Sequence, residues 1–165
     1  MEKITKNDVR FNDLEWVLRA KAKKHESFPV FNFLYSKDSE IVCTDGKRLH
    51  LSKTVFPEGL WEIVKSTKSE IWMEKNTDDL INFPDYNKII PGKDTEIKIE
   101  MNGDTDTNFF KIAKVMEKNT ISYQYLDDIT RGQYDLICFF DNDDKALTFK
   151  NETKIALLMP KRIDK

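Results

Sequence analysis

The pair Asp45-Gly46, which separates two apolar runs, is the feature that most constrains the fold of this chain. An Asp-Gly pair in this setting is a strong signal for a hairpin, because the backbone twist of the turn matches that of the strands it joins. The sequence therefore predicts a strand in EIVCT and a second strand in RLHLS, paired antiparallel. The residues after the turn, Lys47 to His50, mix charges with an apolar side chain, which a turn alone does not require.

A helix is predicted upstream of the hairpin, over Asn12 to His25. Asn12 can cap this helix, and Glu15 lies at capping-box spacing. One face of the helix carries the apolar residues Leu14, Val17, Leu18 and Ala22. Beyond the helix, Pro29 is predicted to open the strand VFNFLY. The segment LWEIVKSTKSEIWMEK predicts two further strands around a polar turn at residues 66–69.

The second half of the chain repeats this order of elements after a connection punctuated by proline and glycine. EIKIEM alternates as a strand does, and Thr107 to Asn119 predicts a second helix. The buried face of that helix is predicted to comprise Phe109, Ile112, Ala113 and Met116. Four strands are predicted to follow, ISYQYL, YDLICFF, KALTFK and TKIALLM, with turns at RGQ, DNDD and NE.

These patterns together predict an α+β chain made of two units, each a helix followed by antiparallel strands. A length of 165 residues fits a single domain. We expect one domain over residues 1–165, with unit one at about 1–80, a linker at about 81–94 and unit two at about 95–165.

Composition restricts the location and the partners of the chain. The N-terminus lacks the apolar core of a signal peptide, and no apolar run approaches the length of a membrane span. Cys43 and Cys138 lie among apolar neighbours, so buried reduced thiols are favoured over a disulfide, and a cytoplasmic protein is expected. The net charge of -2 gives no overall attraction to nucleic acid, so any DNA contact needs basic residues gathered on one face.

No catalytic, metal or cofactor motif emerges from the sequence. The segment GDTDTN begins like a calcium loop, but the loop's glycine and glutamate positions hold Phe109 and Val115, so a helix-capping loop is favoured. His25 and His50 have no partner at zinc-ligand spacing. No nucleophile elbow or glycine-rich phosphate loop is present either. We therefore expect a protein that is not an enzyme and that uses no metal and no cofactor.

Three stretches, TDGKRLH, FPDYNKIIP and the C-terminal LLMPKRI, together and in this order resemble the bacterial DNA polymerase III β subunit, the sliding clamp. That family carries a Thr-Asp-Gly-x-Arg-Leu turn, a Phe-Pro-Asp-Tyr linker and a Met-Pro-x-Arg-aliphatic tail. The resemblance implies the sliding-clamp fold and a role in the processivity of DNA replication. Since clamp chains are more than twice as long, this chain would be a short single-domain relative.

The resemblance also implies a partner-binding groove. In the family the three stretches line one groove, which receives a short Gln-, Leu- and Phe-rich peptide from polymerases, the clamp loader or repair proteins. By resemblance, Thr44 and Leu49 form an apolar wall, while Arg48 and His50 lie at its rim. The implied pocket residues are Thr44, Gly46, Arg48, Leu49, His50, Pro84, Lys88, Ile89, Leu157, Leu158, Met159, Pro160 and Arg162.

Clamp helices line the bore of the ring and face the DNA backbone, so the resemblance implies a role for the basic residues on both predicted helices. The implied DNA-facing residues are Arg19, Lys21, Lys23, Lys24, Lys111, Lys114 and Lys118. A solvated helix face is the simpler interpretation of such a stripe on its own. Double-stranded DNA would be held without sequence specificity.

The assembly and the exact role stay open on the sequence. Six copies of a single clamp-like domain would close a homo-oligomeric ring around DNA. Alternatively, a monomer would act as a peptide-binding adaptor or decoy for clamp partners without holding DNA. A structural protein of a mobile element that reuses the fold is a third hypothesis.

Overall fold

The computed structural model describes residues 1–163 of the chain. Internal contacts divide the chain into two compact units, Met1–Asp85 and a second that begins at Tyr86. The described residues contain three α-helices: α1 (Phe11–Leu18), α2 (Thr105–Ala113) and α3 (Tyr123–Thr130). The strands of the first unit are β1 (Glu2–Thr5), β2 (Phe33–Lys37), β3 (Glu40–Thr44), β4 (Arg48–Lys53), β5 (Gly59–Ser66) and β6 (Glu70–Lys75). Those of the second are β7 (Ile97–Glu100), β8 (Asn119–Thr120), β9 (Ile137–Phe140), β10 (Leu147–Lys150), β11 (Lys154–Leu158) and β12 (Lys161–Arg162).

The first unit is an antiparallel sheet with one helix packed on it. Its strands follow the order β1-β6-β5-β2-β3-β4, and α1 contacts β3 and β4. Leu14, Trp16 and Val17 of the helix are completely buried, as are Leu34 and Ile41 of the sheet. The predicted hairpin is confirmed, because β3 and β4 pair antiparallel around Asp45-Gly46. The predicted pair of strands β5 and β6 is confirmed as well.

The first helix is shorter than the sequence predicts and begins differently. It ends at Leu18 instead of His25. The predicted cap at Asn12 is wrong, since the cap residue is Arg10, whose side chain makes no cap hydrogen bond. Asp8 fixes the start of the helix instead, because its carboxylate accepts from both the backbone N–H and the guanidinium of Arg10. The strand predicted from Pro29 is also delayed, since Pro29–Asn32 forms a 3₁₀ turn before β2.

The second unit packs two helices with an antiparallel sheet in the order β11-β10-β9-β7. The capping loop is confirmed, because the Asp104 side chain accepts a hydrogen bond from the Asp106 N–H at 3.2 Å. Helix α2 ends at Ala113, six residues before the predicted end. Ile112 is buried as expected, but Ala113 is exposed.

One predicted strand, ISYQYL, is wrong, because this stretch leads into helix α3. Ser122 caps the helix by accepting from the Tyr125 N–H at 3.3 Å. The buried residues Leu126, Ile129 and Thr130 follow helical spacing, and most of them lie beyond the run that looked like a strand. The other three predicted strands are confirmed as β9, β10 and β11.

Both cysteines are buried free thiols, as the sequence predicts. Burial raises the pKa of the Cys43 thiol and raises that of Cys138 to about 12. Within residues 1–163, no helix has the length and apolar character needed to cross a membrane.

Candidate functional site

The turn in the first unit is held by its own side chains. Thr44 Oγ1 donates to the Arg48 carbonyl oxygen at 2.6 Å and accepts from the Gly46 N–H at 3.1 Å. The Asp45 carboxylate accepts from the N–H groups of Lys47 and Arg48 at 2.9 and 3.1 Å. It also pairs with Arg48 Nε at 3.1 Å. Of the residues that the hairpin alone did not explain, Arg48 therefore helps to give this turn a fixed shape, together with Thr44 and Asp45.

Gly46 is required at its position by both conformation and space. Its φ of +89° lies in the left-handed region that favours glycine. A Cβ there would approach Phe31 Cε2 to 3.2 Å, closer than an ordinary contact. Phe31 thus packs on the turn, although the sequence gave no sign of this contact.

His50 does not lie at a surface rim, so that prediction is wrong. Its ring is completely buried and stacks on Trp16, with centroids 4.4 Å apart. Nδ1 lies 2.8 Å from the Trp16 carbonyl oxygen. Because a carbonyl can only accept, Nδ1 carries the proton and donates. Burial is the main reason that the pKa of His50 is lowered to about 3. His50 therefore helps to bind α1 to β4.

The other implied pocket residues of the first unit differ in accessibility. Leu49 is only 2% exposed, so most of its side chain belongs to the core. Thr44 is also buried. Pro84 is exposed. Beside it, Phe83 stacks on Tyr35 with a centroid distance of 4.8 Å, which explains one aromatic residue of the FPDY stretch.

In the second unit, the implied tail residues divide into a buried pair and an exposed end. Leu157 and Leu158 lie in β11 and are buried. Met159 is 49% exposed, and Arg162 is also exposed. After Pro160, Lys161 and Arg162 form β12, which pairs antiparallel with β8. The exposed surface of this stretch therefore lies at Met159 and Arg162 and not at the two leucines.

Lys88 and Ile89 are exposed on the segment after Tyr86, which is itself buried. Ile89 borders a pocket of about 480 Å³ that lies entirely within the second unit. The segment of residues 89–95 forms one wall, and residues of β9, β10 and β11 form the other. Its apolar and small lining side chains include Ile89, Ile90, Pro91, Phe139, Thr148 and Ile155.

Lysines border this pocket, which we call the Ile89 pocket. Its lining includes Lys93, Lys145 and Lys150, and the ammonium group of Lys150 lies 5.1 Å from the centre of the Phe139 ring. Lys150 also pairs with Asp94 on the opposite wall. Of these lining residues, the resemblance to clamps implied only Ile89 and gave no sign of Phe139, Thr148 or Ile155. Only the sheet pairing, with Thr148 opposite both Phe139 and Leu157, brings their strands together.

The implied DNA-facing residues of the first unit do not lie on a helix. Arg19 is the C-cap of α1 and makes a bidentate contact with Glu15 at 3.1 and 2.8 Å. Lys21 Nζ donates to the Ala22 carbonyl oxygen at 2.8 Å. Lys23 and Lys24 are exposed on the following loop. The helical stripe predicted here is therefore wrong, and its cations occupy a helix end and a loop.

In the second unit only Lys111 of the implied set lies within α2. Its Nζ donates to the Glu100 carbonyl oxygen at 3.0 Å. Lys114 is the C-cap residue and lies over the Phe110 ring at 4.5 Å. Lys118 lies beyond the end of the helix. Acidic residues of α2 and α3, Asp106, Asp127 and Asp128, give these helices mixed charge, so the predicted basic stripe is interrupted.

No group of three or more His, Cys, Asp or Glu side chains in the described part of the chain is placed to hold a metal ion. The arrangement is one of a rigid turn, an apolar pocket and scattered cations. Ligand pockets in proteins commonly combine an apolar lining with a few polar groups at the rim.

The fold matches solved DNA polymerase sliding clamps. The clamp from Bacillus subtilis has a TM-score of 0.62 at 14% identity, over 98% of this chain and 64% of the clamp. The clamp from Pseudomonas aeruginosa has a TM-score of 0.59 at 13% identity, over 98% of this chain and 66% of the clamp. The chain has the sliding-clamp fold. The clamp from Caulobacter crescentus gives a TM-score of 0.59 at 15% identity, covering 98% and 65% of the two chains.

This clamp-like chain spans just under two thirds of the length of the three clamps. No family model matches its sequence, and no curated protein matches it. The similarity therefore lies in the fold. At this low sequence identity, the similarity does not assign the residues of a functional site.

Proposed function

We propose that this chain is a sliding-clamp-like accessory protein of DNA replication that binds short apolar peptides of partner proteins. The observation that carries the proposal is the Ile89 pocket, present in a chain with the clamp fold. Ile89 is a residue that the sequence resemblance assigns to peptide binding, and it borders a pocket of about 480 Å³. That volume suits one or two large apolar side chains of a peptide.

The chemistry of the pocket suits a peptide with an apolar anchor. Ile89, Phe139 and Ile155 offer apolar surface to a Leu or Phe side chain, whose burial would contribute about 1.5–3 kcal/mol. Lys145 and Lys150 of the lining pair with Asp141 and Asp94, so the rim offers polar groups of both charges that could fix the register of a bound peptide. On the exposed tail, Met159 has a flexible thioether that adapts to ligands of different shape.

We propose the Thr44–Leu49 turn as a further peptide-contacting region, in the first unit. Its hydrogen bonds give it one conformation before any ligand binds. A preformed surface saves the entropy of ordering a loop on binding. Since the Arg48 side chain pairs with Asp45 and is only 9% exposed, the exposed residues Gly46 and Lys47 are the parts of the turn that would meet a peptide.

We further propose that six copies assemble into a ring around DNA, with sequence-independent contacts from lysines to phosphates. The exposed cations suited to this role are Lys23, Lys24, Lys114 and Lys118. Because the helices of the second unit carry mixed charge, each contact would be weak. A clamp would then hold DNA by encircling it more than by affinity.

Peptide binding is tested with a fluorescent Gln-, Leu- and Phe-rich peptide titrated against the protein and two matched variants. Ile89→Glu places a charge at the pocket, and the residue is 60% exposed, so folding is retained. Leu80→Glu makes the same change at a residue that is 89% exposed and lies outside the pocket. We expect saturable binding that Ile89→Glu weakens by about tenfold or more and Leu80→Glu leaves unchanged. Equal affinity in all three proteins would refute the pocket assignment.

The DNA part is tested separately, by binding to closed circular and linear DNA at increasing salt. Replacing Lys114 and Lys118 by Glu should reduce DNA binding and its salt dependence, while peptide binding stays intact. An unchanged salt dependence in the double variant would show that these lysines do not contact phosphates.

A further inference from the structure

One carboxylate in the second unit is bound by three successive backbone amides. Oδ2 of Asp143, in the turn between β9 and β10, accepts from the N–H groups of Glu117 and Asn119 at 2.9 Å each, and also from that of Lys118. The Asn119 side-chain amide donates to the Asp143 carbonyl oxygen at 2.6 Å. The segment DNDD predicted a turn, and the contacts of Asp143 join that turn to residues 117–119, which lie far from it in the chain.

Successive N–H groups that converge on one point form a concave anion site, often called a nest. Here the protein supplies the anion itself. The nest and the charge of Lys118 lower the pKa of Asp143, because these groups favour the ionised carboxylate. The turn is prepared for this contact, since the Asn142 side chain accepts from the Asp144 N–H at 2.9 Å and so fixes the loop around Asp143.

The nest connects directly to the C-terminal tail. Asn119, its last residue, is also the first residue of β8. Strand β8 has only two residues and pairs with β12, placing Asn119 opposite Arg162 and Thr120 opposite Lys161. Two paired strands of this length are not stable by themselves. A further contact must therefore hold β8 in place for β12 to pair with it. Asp143 provides it from the β9–β10 turn.

We propose that Asp143 is a positioning residue that holds β8, and through β12 fixes the exposed tail at Met159 and Arg162 for peptide binding. The position of the tail follows from the contacts within the second unit. The effect of that position on peptide binding rests on the proposed function. Removing the Asp143 carboxylate would leave the nest empty, release β8 and allow the tail to separate.

Amide NMR tests this directly, with Asp143→Ala compared with Asp144→Ala. Asp144 is the exposed neighbour in the same turn, so it controls for a general loss of turn structure. In Asp143→Ala we expect upfield shifts of the amides of residues 117–119 and hydrogen exchange about tenfold faster in β8 and β12. Asp144→Ala should change neither. Asp143→Asn, which keeps one oxygen acceptor without the charge, should give an intermediate exchange rate.

Chemical rescue tests whether an anion bound in the nest is what holds β8 in place. Added formate should enter the empty nest of Asp143→Ala and restore slow exchange in β8 and β12, whereas chloride at equal ionic strength should not. The proposal is overturned if exchange in β8 and β12 is unchanged in Asp143→Ala, if Asp144→Ala matches it, or if formate has no effect.

The peptide titration supplies the second arm of the test. We expect Asp143→Ala to bind the Gln-, Leu- and Phe-rich peptide about tenfold more weakly than the unchanged protein, with formate restoring affinity. Equal affinity of the two proteins would overturn the link to binding. If the unchanged protein itself does not bind the peptide, the proposed function fails, while the exchange data still decide whether Asp143 positions the tail.

Discussion

The buried imidazole of His50 should lower the free energy of unfolding at mildly acidic pH. Nδ1 donates to the Trp16 carbonyl, while Nε2 is buried and has no hydrogen-bond partner among the described residues. Protonating Nε2 would bury a charged donor without an acceptor. The pKa of His50 is accordingly lowered to about 3, against about 6.5 for an unfolded chain.

The direction and size of this loss of stability follow from the difference in proton binding between the folded and the unfolded chain. Between these two pKa values the unfolded chain binds a proton that the folded chain does not, so stability is present above pH 6.5 and is lost as pH falls. Each pH unit below 6.5 costs about 1.4 kcal/mol of unfolding free energy. Lowering the pH from 7 to 5 should therefore remove about 2 kcal/mol, attributable to His50 alone.

Urea denaturation at pH 7 and pH 5 measures this loss. In His50→Phe, the difference between the two unfolding free energies should shrink by about 2 kcal/mol, even if the variant is less stable at both pH values. NMR provides a direct check, because the His50 ring resonances should not titrate between pH 7 and pH 5. A titration midpoint near 6.5 for His50 would refute the reasoning.

Three further predictions concern the turn, a helix start and the thiols. Gly46→Ala forces a side chain into the left-handed region and towards Phe31, so it should cost about 1–2 kcal/mol in urea denaturation; no change would show that the turn relaxes freely. Asp104→Ala removes the cap of α2 and should cost about 0.5–2 kcal/mol by the same assay, an effect that Asp104→Asn should largely avoid. Burial raises the pKa of the Cys43 and Cys138 thiols, so a disulfide reagent should label them only in denaturant, and fast labelling of the native protein would contradict their burial.

The sequence predicted the local elements of the fold better than the ends of its helices. The hairpin at Asp45-Gly46 was predictable because a two-residue turn sets both strands. The end of α1 was not, since the residues after Leu18 have good helix propensity, yet Ala20 and Ala22 are buried outside the helix. Tertiary packing determines where this helix ends, and no local sequence pattern indicates that position.

The helix α3 was mistaken for a strand because Ile121, Tyr123 and Tyr125 alternate with polar residues. The correct signal was the cap at Ser122 together with the apolar residues Leu126 and Ile129, which lie at helical spacing from the start of the helix. Period-two patterns over only six residues cannot distinguish these alternatives.

For the candidate site, the resemblance identified segments but not the accessibility of their side chains. It assigned Leu49 and His50 to a surface, whereas helix α1 buries His50 beneath Trp16. It also gave no indication of the positions of Phe139 and Asp143, which arise from pairing between strands and from a turn that meets a distant loop. Such contacts join residues far apart in the chain, which is why sequence reasoning missed them.

The central claim, that a clamp-fold chain of this length binds partner peptides at the Ile89 pocket, is tested most directly by NMR titration with the Gln-, Leu- and Phe-rich peptide. The account predicts saturable shifts that centre on Ile89, Thr148 and Ile155, and that disappear in Ile89→Glu but persist in Leu80→Glu. Saturable shifts that avoid the pocket, or no shifts at any peptide concentration, would contradict it.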